Sequence, residues 1–189
     1  MISPIKSLMS ESKVVEAQHL AHPEDRTRYS SKKTPRYYAT LNVAKNGNSE
    51  AQYKLGQMYR QGTNVLQNYL KAMKWYRKAA EKGHPAAQFE LGAMYYIGHG
   101  TKKNVAKAET WYRKSAEQGY ARAQNNIGQM YRMGEAVPQS YVQAAKWFII
   151  SKAKGNEWAP KALHLVENNM TRSQIAEAQK AAQEWWQEH

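Results

Sequence analysis

Residues 87–119 read AQFELGAMYYIGHGTKKNVAKAETWYRKSAEQG and form the middle copy of a unit that the chain contains three times. Its first half keeps six residue types in step: Ala51, Leu55, Gly56, Met58, Tyr59 and Gly62, then Ala87, Leu91, Gly92, Met94, Tyr95 and Gly98, then Ala123, Ile127, Gly128, Met130, Tyr131 and Gly134. Each step is 36 residues. A fixed period of this length predicts a stacked repeat protein.

Each copy predicts two helices joined by a turn. In the first helix of the first copy, Ala51, Leu55 and Tyr59 fall at i, i+4 and i+8, which places them on one helical face. In the second helix, Ala72 and Tyr76 show the same spacing. The second-half positions also recur in step: Ala72, Trp75, Tyr76 and Gly83, then Ala108, Trp111, Tyr112 and Gly119, then Ala144, Trp147, Phe148 and Gly155. We therefore expect the periodic tryptophans to lie in the packed core between helices.

The boundaries of the second helices carry capping signals. Asn68, Asn104 and Ser140 precede these helices at equivalent positions, and their side chains can accept hydrogen bonds from the first helical turn. The turn before them needs a left-handed residue, which Asn64 and Gly100 tolerate better than Ala136 does. The third turn is therefore expected to differ from the other two. The glycines that close the second helices are Gly47, Gly83, Gly119 and Gly155.

Both ends of the array depart from the repeat. We expect residues 1–34 to be an extension that is partly disordered or forms a short helix capped by Ser10 or Ser12. The solenoid should occupy residues 35–189, beginning with a lone helix at 35–45. Full repeats are expected near 48–83, 84–119 and 120–155, and C-terminal capping helices at 156–189. Thr171 and Gln174 have the spacing of a capping box that opens the last helix.

The half-motif AxxxLGxMYxxG, followed by a turn and KAxxWYRKAAExG, resembles the Sel1-like repeat, a relative of the tetratricopeptide repeat. The resemblance covers about 35–166 and implies an all-α fold: a right-handed α-solenoid of antiparallel helix-turn-helix repeats, with about three full repeats plus end helices. It also implies a non-enzymatic adaptor or scaffold for other proteins. Some arrays of this family are immunity proteins that block a bacterial toxin, so that role is the sharper hypothesis.

The charge of the chain favours acidic partners. Lys and Arg number 28 against 15 Asp and Glu, which gives a net charge of +13. We expect the partner to be another protein with an acidic surface, and a nucleic acid is the alternative. There is no cysteine and no apolar run long enough to span a membrane, so the chain is expected to be soluble and cytoplasmic. The oligomeric state is left open.

No catalytic or metal-binding pattern emerges from the sequence. His19 and His22 are three residues apart, but no carboxylate or thiolate follows at ligand spacing. Neither a Ser-His-acid set nor a carboxylate pair stands out from the periodic helix surfaces. We therefore expect no enzymatic activity, no cofactor and no metal.

The best candidates for partner binding are first-helix residues that break the repeat identity. In tetratricopeptide-like stacks the first helices line the concave face, and repeats vary such a face while keeping the scaffold constant. The residues expected to be free of packing there, and so to bind the partner, are Tyr53, Lys54, Gln57, Arg60, Phe89, Glu90, Tyr96, Asn125, Asn126, Gln129 and Arg132, together with Ala93. This mixture of aromatic, amide and arginine groups suits a protein interface better than a phosphate track.

Overall fold

The computed structural model describes residues 34–189, and its regular secondary structure there is helical, without strands. The helices are α1 (Pro35–Lys45), α2 (Ser49–Gln61), α3 (Tyr69–Glu81), α4 (Pro85–Ile97), α5 (Val105–Glu117), α6 (Ala121–Met133), α7 (Tyr141–Ala153), α8 (Ala159–Glu167) and α9 (Arg172–Glu188). The predicted helix at 35–45 is confirmed as α1. The expectations for the N-terminal extension, including its possible caps Ser10 and Ser12, lie outside the described residues.

The helices pack as three successive hairpins, α2 with α3, α4 with α5, and α6 with α7. Each second helix then packs on the first helix of the next unit, so that α3 contacts α4, α5 contacts α6 and α7 contacts α8. Contacts between neighbouring units build a core cluster that extends from α1 to α9, and a second cluster lies among α7, α8 and α9. The predicted all-α repeat solenoid is confirmed.

No helix of the described part is both long and apolar enough to cross a membrane.

The predicted caps of the second helices are present in all three repeats. The side chains of Asn68, Asn104 and Ser140 accept hydrogen bonds from backbone N–H groups three residues later. Thr171 and Gln174 form the predicted capping box at the start of α9. These bonds satisfy donors that a first helical turn cannot pair within the helix.

Ala136 adopts the left-handed conformation, with φ 59°, so the expectation that the third turn would differ is wrong. The equivalent residue of the first turn, Asn64, has φ 66°. In this third turn Ser140 donates its backbone N–H to the carbonyl of Tyr131 at 3.0 Å, and the other two turns contain the same bond. Hydrogen bonds and packing at both ends of the turn therefore outweigh the poor fit of alanine to a left-handed position.

Glycine allows the two helices of a repeat to approach closely. A Cβ atom at Gly128 would lie 2.5 Å from the ring of Phe148, and one at Gly92 would lie 2.8 Å from the ring of Tyr112. Each aromatic ring therefore occupies the space that a side chain on the facing helix would need. The periodic glycines of the first helices and the aromatic residues Tyr76, Tyr112 and Phe148 of the second helices are the two sides of this contact.

Each repeat is linked to the preceding helix by a buried glutamine that was not predicted from the sequence. The side-chain nitrogens of Gln52, Gln88 and Gln124 donate to the carbonyls of Ala44, Ala80 and Ala116 at 3.0, 3.1 and 3.1 Å. All three glutamines are buried. Their spacing of 36 residues was visible in the sequence and could have identified them.

The periodic tryptophans are not equally buried: Trp147 belongs to the core as expected, whereas Trp75 and Trp111 are partly buried and pack against its edge. Both rings are half-buried, and the ammonium groups of Lys78 and Lys114 lie 4.8 and 4.7 Å from their centroids. Trp147 is fully buried because α9 folds back onto α7 and places Trp185 beside it, with ring centroids 6.0 Å apart.

Candidate functional site

The side chains predicted to bind a partner lie on a surface formed by α2, α4 and α6, which we call the first-helix groove. Lys54 is exposed there. The half-buried members of the predicted set are Tyr53, Gln57, Arg60, Ala93, Tyr96, Asn125, Asn126, Gln129 and Arg132. Most of the set is therefore at least partly accessible.

Phe89 and Glu90 are buried, so the expectation that they are free of packing is wrong. The ring of Phe89 contacts those of Tyr112 and Tyr120, with centroids 5.5 and 5.3 Å apart, and the guanidinium of Arg122 lies 5.0 Å from its centroid. Phe89 thus fills the contact between the second and third repeats. The helical period showed which side of α4 carries these residues but not how far α5 and α6 cover that side.

Glu90 forms the centre of a polar cluster between α2 and α4. Its carboxylate lies 3.6 Å from the Nε of Arg60. Burial raises the pKa of Glu90 above its ordinary value, although the charges of Arg60 and Arg122 act in the opposite direction. Burial also raises the pKa of Tyr76, which lies in the same cluster and therefore remains protonated. At this junction the side chains of the protein fill the groove.

His84 holds the N-terminal edge of the groove. Its Nδ1 accepts the backbone N–H of Ala87 at 3.3 Å and so caps α4, while its Nε2 lies 2.9 Å from a carboxylate oxygen of Glu50. The imidazole also stacks on the ring of Tyr53, with centroids 4.8 Å apart. The hydrogen bond from His84, followed by that from Lys54, lowers the pKa of Glu50. Tyr53 is therefore fixed in place at the beginning of the groove.

A cavity of about 210 Å³ opens between α4 and α6. It is lined by Tyr96, Tyr112, Asn126, Gln129, Met130, Met133 and Glu135. Three of these, Tyr96, Asn126 and Gln129, belong to the set predicted from the sequence. The other four were not predicted to line a site: Tyr112 and Met130 are repeat positions, Met133 is the last residue of α6, and Glu135 lies in the turn after it.

The polar groups around this cavity already bond to one another. Tyr96 donates its hydroxyl to a carboxylate oxygen of Glu135 at 2.8 Å, and this hydrogen bond raises the pKa of Tyr96. Burial, the largest cause, raises the pKa of Tyr112 against the opposing effect of the neighbouring Asn126 side chain. The aromatic rings and the two methionines remain to face any occupant.

Basic groups lie beside the mouth of the cavity. The ammonium group of Lys103 is 5.2 Å from the centroid of the Tyr96 ring. The Nε of half-buried Arg132 donates to the Oε1 of Gln129 at 2.8 Å. The cavity therefore combines an apolar interior with two cationic neighbours and one carboxylate, which Tyr96 already holds.

Within residues 34–189, no three histidine or carboxylate side chains are grouped so that they could hold a metal ion. His19 and His22, the pair considered from the sequence, lie outside the described residues.

The 36-residue hairpins and the groove between their first helices define an α-helical repeat protein. The chain belongs to the Sel1 repeat family, because the Sel1 repeat model matches residues 49–84, 85–120 and 121–156. This result confirms the resemblance found in the sequence. The set of curated proteins contains no match.

Several solved structures share this fold. A Sel1 repeat protein from Oxalobacter formigenes is 35% identical and has a TM-score of 0.64, with 69% of this chain and 98% of that one covered. The protective antigen c5321 of uropathogenic Escherichia coli, which displays the same fold, is 30% identical with a TM-score of 0.61. The match covers 85% of this chain and 43% of that protein. Cysteine rich protein B of Helicobacter pylori is 22% identical with a TM-score of 0.55, covers 69% and 98% respectively, and supports the fold alone.

Proposed function

We propose that this protein is a non-enzymatic adaptor or scaffold that binds another protein in the first-helix groove. The observation that carries the proposal is the cavity between α4 and α6, because its lining comes from two adjacent repeats and includes residues that vary between repeats. A groove of this kind exists only when the repeats are stacked. Partner binding and the stability of the array are therefore coupled.

The partner is proposed to have an acidic surface and to meet the protein in the cytoplasm. Lys54, Arg60 and Arg132 contribute positive side chains to the groove, where Lys54 pairs with Glu50 and Arg60 with Glu90. The chain as a whole carries a net charge of +13. Complementary charge accelerates association and excludes basic competitors. It also predicts that added salt slows association more than it accelerates dissociation.

Immunity against a bacterial toxin is the sharper form of this role, and the strength of the complex separates it from a transient adaptor. An inhibitor must remain bound to its toxin, which requires a Kd in the nanomolar range or below. A transient adaptor works at weaker affinity. Calorimetry with the purified partner distinguishes the two.

The first test is capture of partners from a nuclease-treated lysate of the source cell at moderate salt. Wild type is compared with the groove variant Lys54→Gln/Arg60→Gln/Arg132→Gln. The matched control is Lys74→Gln/Lys78→Gln/Lys114→Gln, which removes the same number of positive charges from second helices. A protein that binds wild type and the control, but is lost with the groove variant, supports the proposal.

The same experiment tests binding of nucleic acid, which one structural observation favours. Half-buried Trp75 and Trp111 each lie beneath a lysine, and basic groups next to accessible aromatic rings suit single strands. If retention depends on nucleic acid, falls steeply with salt and is lost with the control variant, the groove proposal is wrong.

A further inference from the structure

We propose that the cavity between α4 and α6 receives one large apolar side chain, leucine, methionine or phenylalanine, from a segment of the partner that is rich in acidic residues. This inference rests on the proposed function and specifies its chemistry. The cavity is the anchor site, and the remainder of the first-helix groove holds the flanking chain.

The apolar choice follows from the hydrogen bonds inside the cavity. The hydroxyl of Tyr96 donates to Glu135, and the side-chain oxygen of Gln129 accepts from Arg132. A polar occupant would compete for the atoms in these bonds and would gain little net free energy from the exchange. An apolar occupant meets tyrosine rings and methionine side chains instead.

The two methionines of the cavity suit this role. Met130 is buried at 2% exposure, whereas Met133 is 44% exposed and lies at the end of α6. Methionine is flexible and polarizable, so it adapts to apolar side chains of different shapes. An exposed methionine beside an existing cavity gains contacts when the cavity is filled.

The equivalent junction one repeat earlier explains why the anchor site lies here. Glu90 occupies the position of Asn126, and Arg60 that of Tyr96. At the earlier junction Arg60 lies 3.6 Å from Glu90, so a charged pair takes up the place of the open space. In the next repeat both positions hold uncharged residues, Tyr96 and Asn126. The Tyr96 hydroxyl bonds to Glu135 instead, and the cavity stays open.

Acidic residues next to the anchor follow from the charges at the mouth. Lys103 and Arg132 stand beside the cavity, and the carboxylate of Glu135 is engaged by Tyr96. Positive side chains around an apolar pocket favour a partner segment of opposite charge. An apolar anchor inside a charged rim is also the usual arrangement of a binding hot spot.

The test uses the full chain and a phage-displayed library of short random peptides. We expect the selected peptides to combine Leu, Met or Phe with Asp or Glu, and their Kd is then measured by fluorescence anisotropy. Gln129→Trp, which fills the cavity from its edge, should weaken binding about tenfold to one hundredfold, because the buried apolar side chain is displaced. Gln179→Trp is the matched control, since it places the same indole at an exposed position of α9, outside the first-helix groove, and should leave Kd unchanged.

A second pair of variants keeps the test decisive if the indole disturbs folding. Met133→Gln changes an exposed residue and should weaken the same peptides, whereas Ile97→Gln, at the equivalent position one repeat earlier, should not. Selected peptides without an apolar residue, a library that yields no binders, or equal effects of the matched variants would overturn the anchor. If the lysate partner is lost with the groove variant yet binds Gln129→Trp normally, the proposed function stands and only the anchor fails.

Discussion

The side-chain oxygen of Gln88 accepts a 2.6 Å hydrogen bond from Gln118, whereas the equivalent oxygen of Gln124, one repeat later, is buried without a hydrogen-bond partner in the described chain. Both glutamines donate to a helix-end carbonyl of the preceding repeat. The two junctions therefore share one bond and differ in the other.

This difference predicts unequal effects of the same substitution. Gln88→Met should lower the free energy of unfolding by about 1 to 2 kcal/mol, because two buried hydrogen bonds are lost. Gln124→Met should be close to neutral, because the lost bond is offset by removal of an unpaired buried oxygen. Urea unfolding of both variants measures the difference, and equal losses would contradict it.

Gly128→Ala should destabilise the protein by about 1 to 3 kcal/mol, even though alanine favours helices over glycine. The new methyl group would overlap the ring of Phe148, which lies 2.5 Å from its position. The control is the same substitution in a Phe148→Leu background. If overlap is the cause, the glycine substitution costs less there, and an unchanged cost would point to the backbone instead.

His84→Ala should raise the pKa of Glu50 towards its ordinary value, because the hydrogen bond from His84 is the largest cause of its lowering. A lowered carboxyl pKa stabilises the folded protein above the ordinary pKa, and this contribution disappears as the pH falls through the lowered value. The variant should therefore lose less stability on acidification. NMR titration of the Glu50 carboxyl measures the shift.

Lys54→Ala is the comparison for this prediction. The hydrogen bond from Lys54 is the second cause of the lowering, so its removal should raise the pKa of Glu50 by a smaller amount. A larger shift with Lys54→Ala than with His84→Ala would show that charge, rather than the imidazole bond, controls this carboxyl.

Adjacent tryptophans at the C-terminal end should respond very differently to truncation. Trp185 is 6% exposed and packs on Trp147, whereas Trp186 is 40% exposed. Trp185→Ala should cost about 3 to 5 kcal/mol because it leaves a cavity between α7 and α9. Trp186→Ala should cost less than about 1 kcal/mol, as is usual for surface positions. Thermal unfolding compares them, and similar losses would show that α9 is held in another way.

The repeat period was sufficient to predict the helices and the caps of the second helices, because these features depend on local sequence and recur in every copy. It was insufficient where a neighbouring element decides the outcome. Trp75 and Trp147 occupy the same repeat position, yet only Trp147 is covered by α9. No local pattern in the second helices contains that information.

The candidate site could likewise be predicted only where the repeat period decides the position of a residue. Periodicity correctly placed Tyr96, Asn126 and Gln129 on one surface, and the cavity brings them together. It did not reveal that Phe89 is buried, because the coverage of α4 depends on its neighbours. Nor did it reveal Glu135, which reaches Tyr96 from the turn after α6.

The position of α9 depends on its contact with α7 and not on the length of the array. Because α9 packs against α7 and α1 packs against α2, neither contact depends on the number of repeats between them. A copy of the 36-residue unit inserted between α3 and α4 would therefore leave these contacts and the cavity between α4 and α6 in place. The number of repeats would then set the length of the partner segment that the groove accommodates.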